Sequence, residues 1–164
     1  MSISLHLRAV AESEFRDDHT WLAAFMGAAW GNHPEEYAAG IADSIPKVWG
    51  AVNDLYASAE VLPADADKPS LPVYGGRPVA HSEVAGPHDP PMMVLDPPGV
   101  SQAAEFLAAV SFDELWSRAD AGLKGHGQDE ALFRQEYLEH HESLRGFYGR
   151  AASAGHAVVK AVWA

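Results

Sequence analysis

Residues 133–163, FRQEYLEHHESLRGFYGRAASAGHAVVKAVW, hold two different periodicities in one run. Apolar or aromatic side chains recur at Phe133, Tyr137, His141, Leu144, Tyr148 and Ala151, in steps of three and four that keep them on one face of a helix. The opposite face carries Gln135, Glu139, Glu142, Gly146 and Gly149. Gly155 then stands where a helix C-terminus favours a residue able to take positive φ, and the run from His156 to Trp163 has the β-branched, aromatic-ended composition of a strand. Near the other end of the sequence, Ser2 to Leu7 alternates polar residues with Ile3, Leu5 and Leu7, which makes it the natural sheet neighbour of that strand. The expected fold class is therefore α+β: a small sheet including the N- and C-terminal strands, packed with several helices.

Outward from this pair, 164 residues with 48% hydrophobic content suffice for one domain spanning 1–164 with a sizeable core. A helix is expected over Trp21 to Trp30, capped by Thr20, apolar nearly all round and broken at Gly31-Asn-His-Pro34. Asp43-Ser44 ahead of Pro46 reads as a helix start, giving a helix from Ile45 to about Ser58 with a stripe of Ile45, Val48, Trp49, Val52, Leu55 and Tyr56. Nine of the eleven prolines fall between Pro63 and Pro98, so this stretch is expected to be loops with short strands at Leu71–Tyr74 and Met92–Leu95. Asp96-Pro97 opens a helix through Val110, and Ser111-Phe-Asp-Glu114 is a capping-box pattern starting another to about Ala121. Gly122 to Gln128 reads as a turn before the long final helix.

Charge and cysteine usage exclude several classes of function. Net charge is −12, so the summed field repels nucleic acid phosphates and anionic membrane surfaces, and neither is expected as a partner. With no cysteine there is no disulfide, no thiolate zinc site and no thiol nucleophile, which agrees with a cytoplasmic protein. The first residues show no signal peptide, and Trp21–Trp30 is too short to span a bilayer.

Nine histidines are the main compositional hint of chemistry. Glu136 and His140 form an i, i+4 pair able to reach one ion, and His81 or His88, from a loop that also holds Glu83 and Asp89, could complete a metal site. The competing reading is a helix-edge histidine packed on Tyr137, Leu144 or Tyr148, and a solvated polar loop, because no His-Glu-x-x-His spacing occurs. Gly75-Gly76 before Arg77 marks a tight turn, since no strand, glycine-rich loop and helix arrangement surrounds it. No Gly-x-Ser-x-Gly nucleophile motif is present. Trp49 is the tryptophan assigned to a ligand pocket, preceded by Asp43-Ser44 and followed by the bare Gly50, with Tyr74 and Tyr148 as further candidate ligand-binding residues.

Several segments together resemble the YfbM-like family of bacterial proteins, catalogued as a domain of unknown function. They are the N-terminal strand with the acidic start through Glu14, the Asp43–Trp49 run, Gly75-Gly76, Val110–Leu115, and above all Tyr137–Tyr148 leading into Ala151–Val158. The resemblance implies a compact α+β domain and no activity that can be carried over. Gly50 departs from it, standing where the family often has a histidine, and the loop from His81 to Pro91 is longer and richer in proline.

Two functional readings follow. The first is a non-catalytic protein- or ligand-binding module, in one form inhibitor- or immunity-like, with another protein, a small molecule or a second copy of the chain as partner and no cofactor. The alternative is a small metal-dependent hydrolase using the histidines and Glu136.

Overall fold

The computed structural model describes residues 3–86, 88–125, 127 and 129–163, and all but the side chain of Trp30 within them. Expectations that fall on Ser2, Pro87, Gln128 and the Trp30 side chain lie outside the described residues. Five strands, β1 (Ser4–Val10), β2 (Ala42–Ile45), β3 (Arg77–Val79), β4 (Met92–Leu95) and β5 (Ala157–Trp163), form one antiparallel sheet in the order β2-β1-β5-β4-β3. The helices are α1 (His19–Ala39), α2 (Trp49–Ala57), α3 (Pro97–Ala109), α4 (Phe112–Arg118), α5 (Ala121–Lys124) and α6 (Asp129–Ser153). This is the α+β fold expected from the terminal strands, with β1 and β5 side by side and Leu7 opposite Lys160.

Alternation sorts the sheet into two faces. Leu5, Leu7, Ile45, Leu95, Val158 and Val162 point to one side, where α2, α3, α4 and α6 pack the larger core with Val52, Leu55, Tyr56, Leu107, Leu144, Phe147 and Tyr148. Val10, Met92, Val94, Ala157, Val159 and Ala161 point to the other, where Leu22 and Met26 of α1 cover them. Covered on both faces, β5 is apolar at nearly every position instead of alternating, which is why its sequence reads as a continuous run. Gly155, at φ 68°, turns the chain from α6 into it.

Several expectations need correction. Asp18, not Thr20, caps α1, its carboxylate accepting from the Trp21 N–H at 3.0 Å. The helix then runs on through Gly31 and Pro34 to Ala39. Proline removes a single i−4 bond, and the far half is held in other ways: Arg8 pairs with Glu36, the His33 ring meets His6 at 5.5 Å, and the Gly40 N–H closes on the Tyr37 carbonyl. In the expected helix from Ile45, the first residues are instead β2, because the open edge of β1 pairs with them; Asp43 and Ser44 sit opposite Leu7 and His6. The helix proper begins at Trp49 without a side-chain cap.

In the proline-rich segment Met92–Leu95 is a strand as expected, whereas Leu71–Tyr74 is a turn following a 3-10 turn at Lys68–Ser70. The partner of β4 is β3, which includes Pro78; an edge position is where a strand can carry proline without losing a ladder donor. Helix α4 stops at Arg118, and the expected turn after Gly122 begins as the short α5, capped by Asp120. No helix among the described residues is long and apolar enough to cross a membrane.

The interior Pro34 makes a direct prediction. Pro34→Ala restores an N–H to α1 and should raise unfolding free energy by about 1–3 kcal/mol, read from thermal melts followed by circular dichroism. An unchanged or lowered midpoint would mean that the proline is needed where it is.

Candidate functional site

Helix α6 turns polar groups as well as apolar ones toward the core, and each finds a partner far away in sequence. Ser143 donates to the Asp43 carboxylate at 2.9 Å, which also accepts from the Ser44 N–H at 2.7 Å, tying the edge strand β2 to the helix. Asp43 is only 3% exposed. Burial raises its pKa above the usual carboxylate value, opposed by these hydrogen bonds and by nearby His140 and Arg150. One turn inward, His141 Nδ1 lies 2.9 Å from the Tyr56 hydroxyl. Burial lowers the imidazole's pKa and raises the phenol's, so both are held neutral. The next polar group along the face, the Tyr148 hydroxyl, donates to the Pro72 carbonyl at 2.8 Å and the Leu71 carbonyl at 3.3 Å.

Below Tyr148 sits Lys160, in the middle of β5 and 0% exposed. Its amine donates to the carbonyl of Leu71 and, at 2.9 Å, to that of Gly75. Burial alone pushes its pKa well below the ordinary lysine value. A neutral amine has two N–H donors, and two carbonyls receive them. Lys160 and Tyr148 thus hold the turn Leu71–Gly75 from beneath. From outside, the Tyr74 ring packs on Trp49 at 5.4 Å and its hydroxyl donates to the Pro91 carbonyl at 2.8 Å. Gly75 and Gly76 leave the turn under tight constraint: a Cβ at Gly75 would meet the Ser70 carbonyl oxygen at 2.6 Å, and Gly76 has φ 130° with the Val94 carbonyl 2.7 Å from where a Cβ would stand. The pair is a steric necessity of the passage into β3.

The held turn forms one wall of a recess of about 430 Å³, lined by Leu71, Gly76 and Arg77, by Val94, Leu95 and Ala157 of the sheet, by Asp96, Pro97 and Gly99 at the start of α3, and by Glu12 and Phe15 ahead of α1. Six of these are apolar side chains, and no histidine, serine, threonine, tyrosine or lysine is among them. At the mouth Arg77 pairs with Asp17 at 2.7 Å, and Asp96 uses one oxygen to cap the Gly99 N–H at 2.9 Å. A second recess, about 330 Å³, opens between α1 and α6 over Tyr37, Gly40, Asp43, Glu142, Ser143 and Arg150, with a polar lining.

Of the residues chosen from sequence, Trp49 and Tyr74 are in contact, and Tyr148 and Tyr74 secure the same turn. None of the three lines the 430 Å³ recess; they support its wall. Glu136 and His140 share α6, His81 packs on Trp163 at 5.2 Å beside the end of β5, and His88 is exposed in the loop. Among the described residues no three His, Asp or Glu side chains form a group that could hold a metal ion. Sequence reasoning passed over Lys160 and gave Asp43 the role of a helix cap. The signal for Lys160 was its place in Val158-Val-Lys-Ala-Val162: a lysine inside a strand with no polar neighbour has to reach a partner outside the sheet.

The model of the family described as Domain of unknown function (DUF1877) matches residues 1–160 of the chain. Among solved structures, the fold is similar to that of a protein of unknown function, YfbM from Escherichia coli, at TM-score 0.59 and 12% identity, covering 98% of this chain and 99% of that one. No curated protein matches.

Burial of Lys160 has a pH signature. With its folded pKa depressed, the native state binds fewer protons than the unfolded chain between that value and about 10.4, so stability rises with pH through the window and is reduced below it. Tyr56, Tyr74, Tyr137 and Tyr148, whose pKa values burial raises, act the other way above about pH 10. Urea midpoints should therefore climb with pH on the approach to about 10, and Lys160→Met should flatten the climb. Parallel curves for the two proteins would show that the amine is not held neutral.

Proposed function

The chain belongs to the family described as Domain of unknown function (DUF1877), and from that premise we propose that it is a non-catalytic binding protein whose ligand site is the recess beside α3. The observation that carries this reading is the chemistry of the lining: apolar walls from Phe15, Leu71, Val94, Leu95, Pro97 and Ala157, and no side chain that serves as a nucleophile by hydroxyl, imidazole or amine. Its volume falls within the range of about 300–1,000 Å³ usual for small-ligand pockets. Of the buried polar groups elsewhere, Lys160, Tyr148, Tyr56 with His141, and Asp43 with Ser143 are hydrogen-bonded inside the fold.

A second form of the same reading is inhibitor- or immunity-like binding of a basic protein, supported by the net charge of −12, which accelerates encounter with a cationic surface. The cysteine-free sequence fits a reducing compartment, and we place the protein in the cytoplasm.

A fragment screen by two-dimensional NMR separates binding from metal-dependent hydrolysis. Apolar fragments should shift the resonances of Phe15, Leu71, Val94 and Leu95 together, while metal analysis of the native protein and of His140→Ala should give the same sub-stoichiometric content. One equivalent of metal in the native protein, lost in His140→Ala, would replace this proposal with the hydrolase.

A further inference from the structure

Resting on the reading of this recess as a ligand site, we infer that its ligand carries a cationic head on an apolar body, as an alkyl or aryl ammonium does. The body is dictated by the walls, which offer aliphatic and aromatic surface from Val94 and Leu95 at the end of β4, from Leu71 of the held turn and from Phe15. The head is dictated by what stands at the mouth.

Four charged groups decide the sign there. Glu12 is exposed and has no ion pair or hydrogen bond among the described residues. Asp96 gives Oδ1 to the Gly99 N–H, which leaves Oδ2 facing outward without a bond among the described residues. Its charge also offsets the positive end of α3, the feature that would otherwise favour an anion at this point. Arg77, the one cation in the lining, is already paired through its guanidinium with Asp17, so the two cancel. The lining keeps a net negative charge, because Glu12 is unpaired among the described residues and the full charge of Asp96 exceeds the partial positive charge of the α3 end, in a chain of net charge −12. An anionic head would have to displace Asp17 from Arg77 and enter against that field; an ammonium meets two carboxylates directly.

Octylammonium, octanol and octanoate test this, because they share a body and differ in the head. Each is titrated into the native protein at neutral pH and low salt, with binding followed by NMR shifts at Phe15, Leu71, Leu95 and Gly99. Octylammonium should bind most tightly and octanoate most weakly. The double variant Glu12→Gln, Asp96→Asn removes both charges while asparagine keeps the helix cap, and should weaken octylammonium about threefold or more while leaving octanol unchanged. Octanoate binding as tightly as octylammonium, or an ammonium affinity indifferent to the double variant, would overturn the cationic ligand and leave the recess standing as an apolar site. If none of the three shifts these resonances, the recess itself is not the site and both readings fall.

Discussion

The fold depends on a buried amine. Between Val61 and Pro91 the described residues have little regular structure beyond 3-10 turns and the three-residue strand β3, and fixing each residue of such a segment costs about 1–2 kcal/mol of backbone entropy. Prolines lower that cost in advance by restricting the unfolded chain, yet they also remove the N–H donors with which a loop could stitch itself together. The N–H groups that remain close only short turns, such as Leu71 on Lys68 and Gly75 on Ser70, and side chains supply further bonds. Lys160 supplies two, Tyr148 one shared between two acceptors and Tyr74 one, all to main-chain carbonyls at Leu71, Pro72, Gly75 and Pro91. Removing a donor leaves a buried carbonyl unsatisfied at about 1–3 kcal/mol, so the arrangement tolerates the amine's desolvation because the alternative orphans the Gly75 carbonyl and leaves that of Leu71 with only its longer bond from Tyr148.

Helix α6 distributes the same logic along its length. Its inner face is not uniformly apolar: Ser143, His141 and Tyr148 alternate with Leu144, Phe147 and Ala151, and each polar group meets a different element, β2, α2 and the turn at 71–75 respectively. Hydrophobic contact alone would let these elements slide along the helix with modest change in energy. A buried hydroxyl or imidazole with one correctly placed partner does not slide, since a shift of one turn leaves both groups unpaired. The segments that carried the family resemblance, Asp43–Trp49, Gly75-Gly76 and Tyr137–Tyr148, thus meet one another in space through Asp43 with Ser143 and through the turn that Tyr148 supports.

What was legible in the sequence was what local pattern determines. The amphipathic period of α6, the glycine at 155 and the dense β5 run are all read within a few residues, and the pairing of β1 with β5 follows from two strands needing neighbours. Misreadings occurred where a distant partner overruled a local signal. Asp43-Ser44-Ile-Pro46 has the letters of a helix start, but the free edge of β1 recruits it as a strand. Pro34 has the letters of a helix stop, but Arg8, 28 residues earlier than Glu36, holds the helix together beyond it. The candidate site was less legible still. Trp49, Tyr74 and Tyr148 were read as candidate ligand-binding residues, and none of them lines the recess, whereas the bonds that hold its wall run from Lys160 to carbonyls 85 and 89 residues away, and a carbonyl has no sequence signature.

The same interaction bears on whether the site binds or reacts. A lysine whose pKa burial depresses is the kind of group that forms covalent adducts when a carbonyl substrate can reach its lone pair. Here the amine is fully covered and bonded to carbonyls of the turn, and Leu71 of that turn also lines the recess. To expose Lys160 the turn would have to lift, which breaks both amine bonds and the shared Tyr148 bond and at the same time removes the wall that shapes the recess. Reactivity at the amine and an intact recess are therefore mutually exclusive states of one turn. The state in the structure is the one with the recess formed, and in that state the buried amine acts as a fastener.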